Sequence, residues 1–137
     1  ALFKFTKGIL EKKKISLFNY GDHKRDFTYI DDAVNAIELV EKLKFKKKEF
    51  YRIFNVGNGR SVHLKKYLKE IEKNLKRKAK IKYLPMQKGD VKNILSDNTK
   101  LNRYKEFRKR THYKIGVKKF IDWYRDYYWF NVYNYIF

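Results

Sequence analysis

Leu64, Leu68, Ile71 and Leu75 advance by four, three and four residues, while Lys65, Lys66, Lys69, Lys73 and Lys76 cover the other faces. Apolar residues at that spacing share one side of an α-helix, so a segment starting near Val62 is predicted to be amphipathic, core-packed on one face and wet and basic on the rest. Short β-rich runs flank it, YRIFNV at 51–56 and KIKYLP at 80–85. Short strands alternating with helices indicate the α/β class.

The remaining segments repeat this alternation. Leu2, Phe3, Phe5, Ile9 and Leu10 lie on roughly one side of a helix over 1–12, with Gly8 its weak point. In 14–21, Ile15 and Leu17 alternate with Ser16 and Phe18 as a strand that stops at the Gly21-Asp22 turn. A strand near 26–30 then leads to a helix from Asp31 and Asp32 to about Lys44, carrying Ala33, Val34, Ile37 and Val40 at helical spacing. An aspartate at its N-cap is expected to accept orphan backbone N–H bonds. The charge run 44–50 reads as a solvated loop. Ser96 or Asp97 can cap a brief helix, and Thr111 the last one, whose apolar face is Val117, Phe120, Ile121, Tyr124 and Tyr128. The organisation expected is one region over 1–128 and an apolar tail over 129–137.

With 137 residues, 43% of them hydrophobic, the chain can build one core but not two ordinary domains. It has no cysteine, which excludes disulfides and thiolate chemistry, and no apolar run approaches the roughly 20 residues of a membrane span. The expectation is a cytoplasmic protein. The net charge of +20 suggests a polyanion such as nucleic acid. However, 27 of the 35 basic residues are lysine and only 8 arginine, the residue on which bidentate phosphate and base recognition leans. A drift of surface positions to lysine gives the same total, so a nucleic-acid module is kept as the alternative reading.

Few residues carry chemistry. Arg25, at the end of a Gly-Asp turn and against Asp26, suits an anion, with an ion pair to Asp26 or Asp22 as the plain alternative. The GNG turn at 57–59 looks like a phosphate loop but lacks the third glycine and the later acid of a dinucleotide fingerprint. An ordinary turn is the better reading. Tyr20 and Lys24 stand four apart as in short-chain dehydrogenases, but Gly21 and Asp22 break any helix between them. His23, His63 and His112 are scattered without ligand spacing, so no metal site is expected. The residues alone hold no catalytic set.

Taken together, the stretches ALFKFTKGILEKKKISLFNYGDHKRDFTYIDDAVNAI, YRIFNVGNGRSVHLKKYLKEIEKNL, YLPMQKGDV, SDNTKL and GVKKFIDWYRDYY resemble the C-terminal half of extended short-chain dehydrogenase/reductases. Within this NAD-dependent epimerase/dehydratase family, the likeness points to the UDP-glucuronate 4-epimerase branch. It implies the substrate-binding part of an extended Rossmann-type epimerase, converting UDP-glucuronate to UDP-galacturonate in its complete form. By resemblance, Arg25 clamps the nucleotide diphosphate, and Ser16 and Phe18 lie beside the uracil. Gln87 falls at a second diphosphate-side position where many relatives have arginine. Asp90 is a ribose or loop-anchoring carboxylate, or simply a turn aspartate after Gly89. The full-length family uses NAD, a glycine-rich loop and a tyrosine–lysine pair. None of these is recognised in this sequence, so no catalytic or cofactor-binding residue is assigned and no cofactor is expected for the chain alone. The partners implied are a UDP-sugar and a chain carrying the cofactor-binding half. Without that half, the 51–56 strand and the helix from 32 to 44 are expected to leave apolar surface exposed.

Overall fold

The computed structural model describes residues 1–44, 51–107 and 110–133, with side chains to Tyr128. Among the described residues the α-helices are α1 (Leu2–Leu10), α2 (Ile30–Glu41), α3 (Leu64–Leu75) and α4 (Tyr113–Tyr133). The strands are β1 (Lys14–Leu17), β2 (Lys24–Asp26), β3 (Ser61–His63) and β4 (Lys80–Tyr83). β1 and β4 pair in parallel, with Ile15 opposite Ile81 and Leu17 opposite Tyr83. β2 and β3 pair antiparallel, with Arg25 opposite Val62. This is the expected α/β class.

The α3 stripe does what its period predicts. Tyr67, Leu68, Ile71 and Leu75 are buried with Phe5 and Ile9 of α1, Ile15 and Leu17 of β1, and Val117 and Ile121 of α4. Strand alternation holds in β1, where Lys14 and Ser16 face solvent and Ile15 and Leu17 face the core. Burying ten such side chains is the main driving force for this half of the molecule, at about 25 cal/mol per Å² of apolar surface. A smaller cluster of Ala36, Leu101 and Phe107, flanked by Leu39, Val40 and Phe54, seats α2 on the far side.

Several expectations need correction. The helix expected from Val62 begins at Leu64, because Val62 is paired in β3. The second strand covers Lys24–Asp26 rather than 26–30, and α2 ends at Glu41 rather than Lys44. Neither Asp31 nor Asp32 is the N-cap of α2. Tyr29 holds that position without a side-chain cap, and both acids lie inside the first turn, where they still meet the positive helix end. Asp32 turns to the start of α4, accepting the Thr111 N–H at 2.7 Å and the Thr111 hydroxyl at 2.9 Å. Thr111 therefore serves α2 instead of capping α4; the ring Nδ1 of His112 lies 3.4 Å from the Lys114 N–H there. Ser96 and Asp97 cap no helix. The 3₁₀ turn Leu101–Arg103 starts after Lys100, and Asp97 instead accepts the Thr99 hydroxyl and then its N–H, bonds that hold its carboxyl below the usual range. Among the described residues no strand forms over 51–56. The loop expected over 44–50 lies almost wholly outside the described residues. α4 runs on to Tyr133, through the position where the apolar tail is expected to begin.

Candidate functional site

Arg25 sits mid-strand in β2, held on both sides. Its neighbour Lys24 receives the Asn93 region on one edge, through Lys24 N–H to Lys92 O at 2.9 Å and Ile94 N–H to Lys24 O at 3.1 Å, while β3 pairs on the other. The approach to β2 is conformationally unusual. Asn19, Tyr20 and Gly21 all take left-handed backbone angles, with φ of 47°, 54° and 75°. Only the glycine does so freely, so Asn19 and Tyr20 store strain just ahead of the site. The chain is held there by Tyr20 N–H to Leu84 O at 3.0 Å and Asp22 N–H to Asn19 O at 2.8 Å.

The Arg25 guanidinium is 22% exposed and lies against Asp90, with Nη2 3.0 Å from Oδ1. Nη1 donates to the carbonyls of Lys24 at 3.0 Å and Lys92 at 3.1 Å. Nε–H and the second N–H of Nη2 have no acceptor among the described residues, so part of the rigid fork remains open to an incoming anion. Asp90 itself closes a turn, its N–H bonded to Gln87 O at 3.1 Å and its Oδ1 accepting the Val91 N–H at 2.9 Å, with Gly89 at φ 82° between. The structure thus brings together Arg25 and Asp90, which are 65 residues apart in sequence.

None of Ser16, Phe18 and Gln87 has a side-chain contact with this pair among the described residues. Ser16 lies on the outer face of β1 opposite Lys82, and half-buried Phe18 begins the 3₁₀ turn that follows. Gln87 is exposed on the loop after β4. Neither Ser16 nor Gln87 makes a side-chain hydrogen bond among the described residues. Of the plain alternatives for Arg25, neither forms. Asp22 pairs instead with Lys92 at 2.9 Å, which keeps its carboxyl below the ordinary range.

Asp26 points the other way and has a structural task that sequence reasoning missed. Its Oδ1 accepts the Asn58 N–H at 2.9 Å, and its Oδ2 accepts the N–H groups of Gly59 at 2.9 Å and Ser96 at 3.0 Å. The Gly57 N–H goes to Asn98 Oδ1 at 3.0 Å, and Asn98 returns a bond to Gly57 O at 2.9 Å. The GNG turn is therefore an anion-binding nest already filled by the protein's own carboxylate. It has no N–H left for a pyrophosphate, so these residues do not fit a dinucleotide cradle. The sequence signal was present in the neighbouring charges of Arg25 and Asp26, but nothing in it says which one turns inward.

His23 was likewise missed. It is 3% exposed, and its Nε2 lies 3.3 Å from Asp90 Oδ2 at an angle that makes no hydrogen bond. No group of three or more metal-ligating side chains occurs among the described residues. No described helix is long and apolar enough to cross a membrane.

The described residues thus form an α/β unit in which a half-buried arginine of a short strand is fixed by an acid from a distant turn. Residues 1–57 match the model of the NAD dependent epimerase/dehydratase family. The chain is 38% identical to Protein CapI of Staphylococcus aureus, over 93% of this chain and 42% of that protein. It is 37% identical to UDP-glucuronate 4-epimerase 5 of Arabidopsis thaliana, over 93% of this chain and 32% of that one. Its fold superposes on UDP-glucuronic acid 4-epimerase from Bacillus cereus, solved in complex with UDP-glucuronic acid and NAD, with a TM-score of 0.81 at 23% identity, covering 93% of this chain and 40% of that structure. The chain matches the C-terminal part of these longer relatives. It spans about two fifths or less of the length of these relatives.

Proposed function

We propose that this chain supplies the UDP-sugar-binding part of a UDP-glucuronate 4-epimerase-like enzyme, with Arg25 as its diphosphate clamp. The observation that carries this reading is the Arg25 guanidinium, fixed by Asp90 and two carbonyls yet keeping open N–H groups at a partly exposed position. A clamp so held loses little freedom on meeting a phosphate. In this reading Ser16 and Phe18 meet the uracil, Gln87, on the loop after β4, lies on the diphosphate side, and Asp90 anchors that loop and orients the arginine. The family's redox chemistry with NAD, and its tyrosine–lysine pair, belong to the part of the longer relatives that this chain does not span. Activity requires a chain carrying that part, and residues 1–128 form the region that meets the UDP-sugar.

Titration calorimetry with UDP and UDP-glucuronate tests this. Binding is expected, and Arg25→Ala should weaken it by at least about ten-fold, the loss of one or two charged hydrogen bonds. Equal binding by the wild type and the variant would refute the clamp. Epimerisation should appear only when a chain bearing the glycine-rich loop and the tyrosine–lysine helix is added.

One feature favours a second reading, a basic polyanion-binding module. Lys12, Lys73, Lys76, Arg77, Lys78 and Lys80 line two adjoining grooves at the pole formed by the α1–β1 and α3–β4 turns. Glu72 is the one acid lining them among the described residues, and it is already bonded to Lys78 and the Ala79 N–H. If a nucleic acid binds there, its affinity must fall steeply with salt through counterion release. A flat salt dependence removes this reading.

A further inference from the structure

His23 stands two residues before Arg25, and its backbone carbonyl accepts the Leu64 N–H at 2.8 Å, tying it to the start of α3. Its Nε2 is buried and makes no hydrogen bond, although a leucine could fill similar space without stranding a polar atom. The polar group it faces is Asp90, with Oδ2 3.3 Å away. The other oxygen of that carboxylate takes both the Arg25 guanidinium at 3.0 Å and the Val91 N–H at 2.9 Å. A carboxylate turns about one bond, so whatever faces Oδ2 also governs the direction in which Oδ1 holds the arginine. Of the charged groups nearby, Lys92 is already matched, pairing with Asp22 at 2.9 Å.

We propose that His23 is a positioning residue for the diphosphate clamp, acting on Arg25 through Asp90. The Nε2 edge of the ring, 3.3 Å from Oδ2 without an aligned hydrogen bond, attracts that oxygen electrostatically and restrains the carboxylate plane. Oδ1 then orients the guanidinium so that its free N–H groups face outward. This inference rests on Arg25 binding the diphosphate, and its consequence for Arg25 can be measured without any ligand.

The experiment compares wild type, His23→Leu, His23→Gln and Asp90→Asn. Solvent exchange of the Arg25 Nε–H is followed by NMR in the free chain, and affinities for UDP and for uridine are measured alongside. His23→Leu should speed the exchange several-fold and weaken UDP by about ten-fold, while uridine, which has no phosphate, binds as before. His23→Gln, which restores an N–H donor, should return both values towards wild type. Asp90→Asn should loosen Arg25 as His23→Leu does, and the double variant should be no worse than either single one. Unchanged Arg25 exchange in both His23→Leu and Asp90→Asn overturns the proposal. Equal losses for UDP and uridine, unrescued by glutamine, overturn it in favour of a packing role. If the wild type binds no UDP, the diphosphate assignment fails, and the exchange rates still decide whether His23 holds Arg25. Should His23→Leu not fold, Asp90→Asn and His23→Gln decide the same question.

Discussion

Arg25 and Asp26 are chain neighbours with opposite charges and opposite fates, because successive strand residues point to opposite faces. Arg25 reaches towards solvent and Asp90, whereas Asp26 turns to the 57–59 backbone. The candidate site was legible to that extent: an arginine at a turn is an anion site in waiting, but its anchor comes from 65 residues away. Two buried polar groups give predictions at this scale. Thr6 is fully buried on α1 and its hydroxyl has no partner, so Thr6→Val, nearly equal in shape and helix propensity, should stabilise the fold by about 1 kcal/mol in thermal unfolding. Tyr67 is stacked on Phe27 with ring centroids 3.6 Å apart, and burial pushes its phenol up to about 12. The folded state thus holds this proton more tightly than the unfolded state, whose phenol ionises near 10. Its contribution is complete below pH 10 and is lost as pH rises to about 12, a fall of roughly 2–3 kcal/mol. Tyr67→Phe should remove that part of the alkaline loss in urea unfolding measured across this window.

At the scale of elements, helices set by their own periodicity appeared where expected, and elements that depend on partners did not. α3 buries Leu68, Ile71 and Leu75 of its stripe with Leu64 half-buried, and α4 buries Val117, Ile121 and Tyr124 of its expected face. The 51–56 run has strand composition but no described strand beside it, and a lone strand cannot satisfy its own backbone. Asp32 has the residue type and place of a cap and still fails to be one, since a tertiary partner, Thr111, claims both its oxygens. The Asp26 nest joins β2, the 57–59 turn and the Ser96 segment with three charge-assisted bonds. Asp26→Ala leaves those three N–H groups without their acceptor and should cost about 3 kcal/mol, read from chemical denaturation. An aspartate whose removal costs less than about 1 kcal/mol is not holding these segments together.

The whole molecule carries apolar surface that its own core does not use. On α2, Ala36 faces inward, while Ile30 is 65% and Ile37 66% exposed, with Val34 between them on the same outward side. Tyr51 and Ile53 on the neighbouring 51–56 segment are exposed as well. This matches the expectation that these segments leave apolar area open. Such a patch favours association. Ile30→Glu with Ile37→Lys should lower concentration-dependent self-association in sedimentation velocity while leaving the melting temperature within about 2 °C, because surface changes away from packed features cost little. Self-association that persists unchanged in the double variant would place the sticky surface elsewhere.

By itself the sequence determined the α/β class, the helices with strong apolar period and the identity of Arg25 as an anion-seeking residue. These follow from local spacing and side-chain chemistry, which travel with the chain. Only the tertiary structure decided that Asp90, rather than Asp22 or Asp26, holds Arg25, that the GNG turn cradles a carboxylate, and that a buried histidine faces Asp90. Each of those depends on which distant backbone groups meet, and a hydrogen bond between residues tens of positions apart leaves no periodic trace in the sequence.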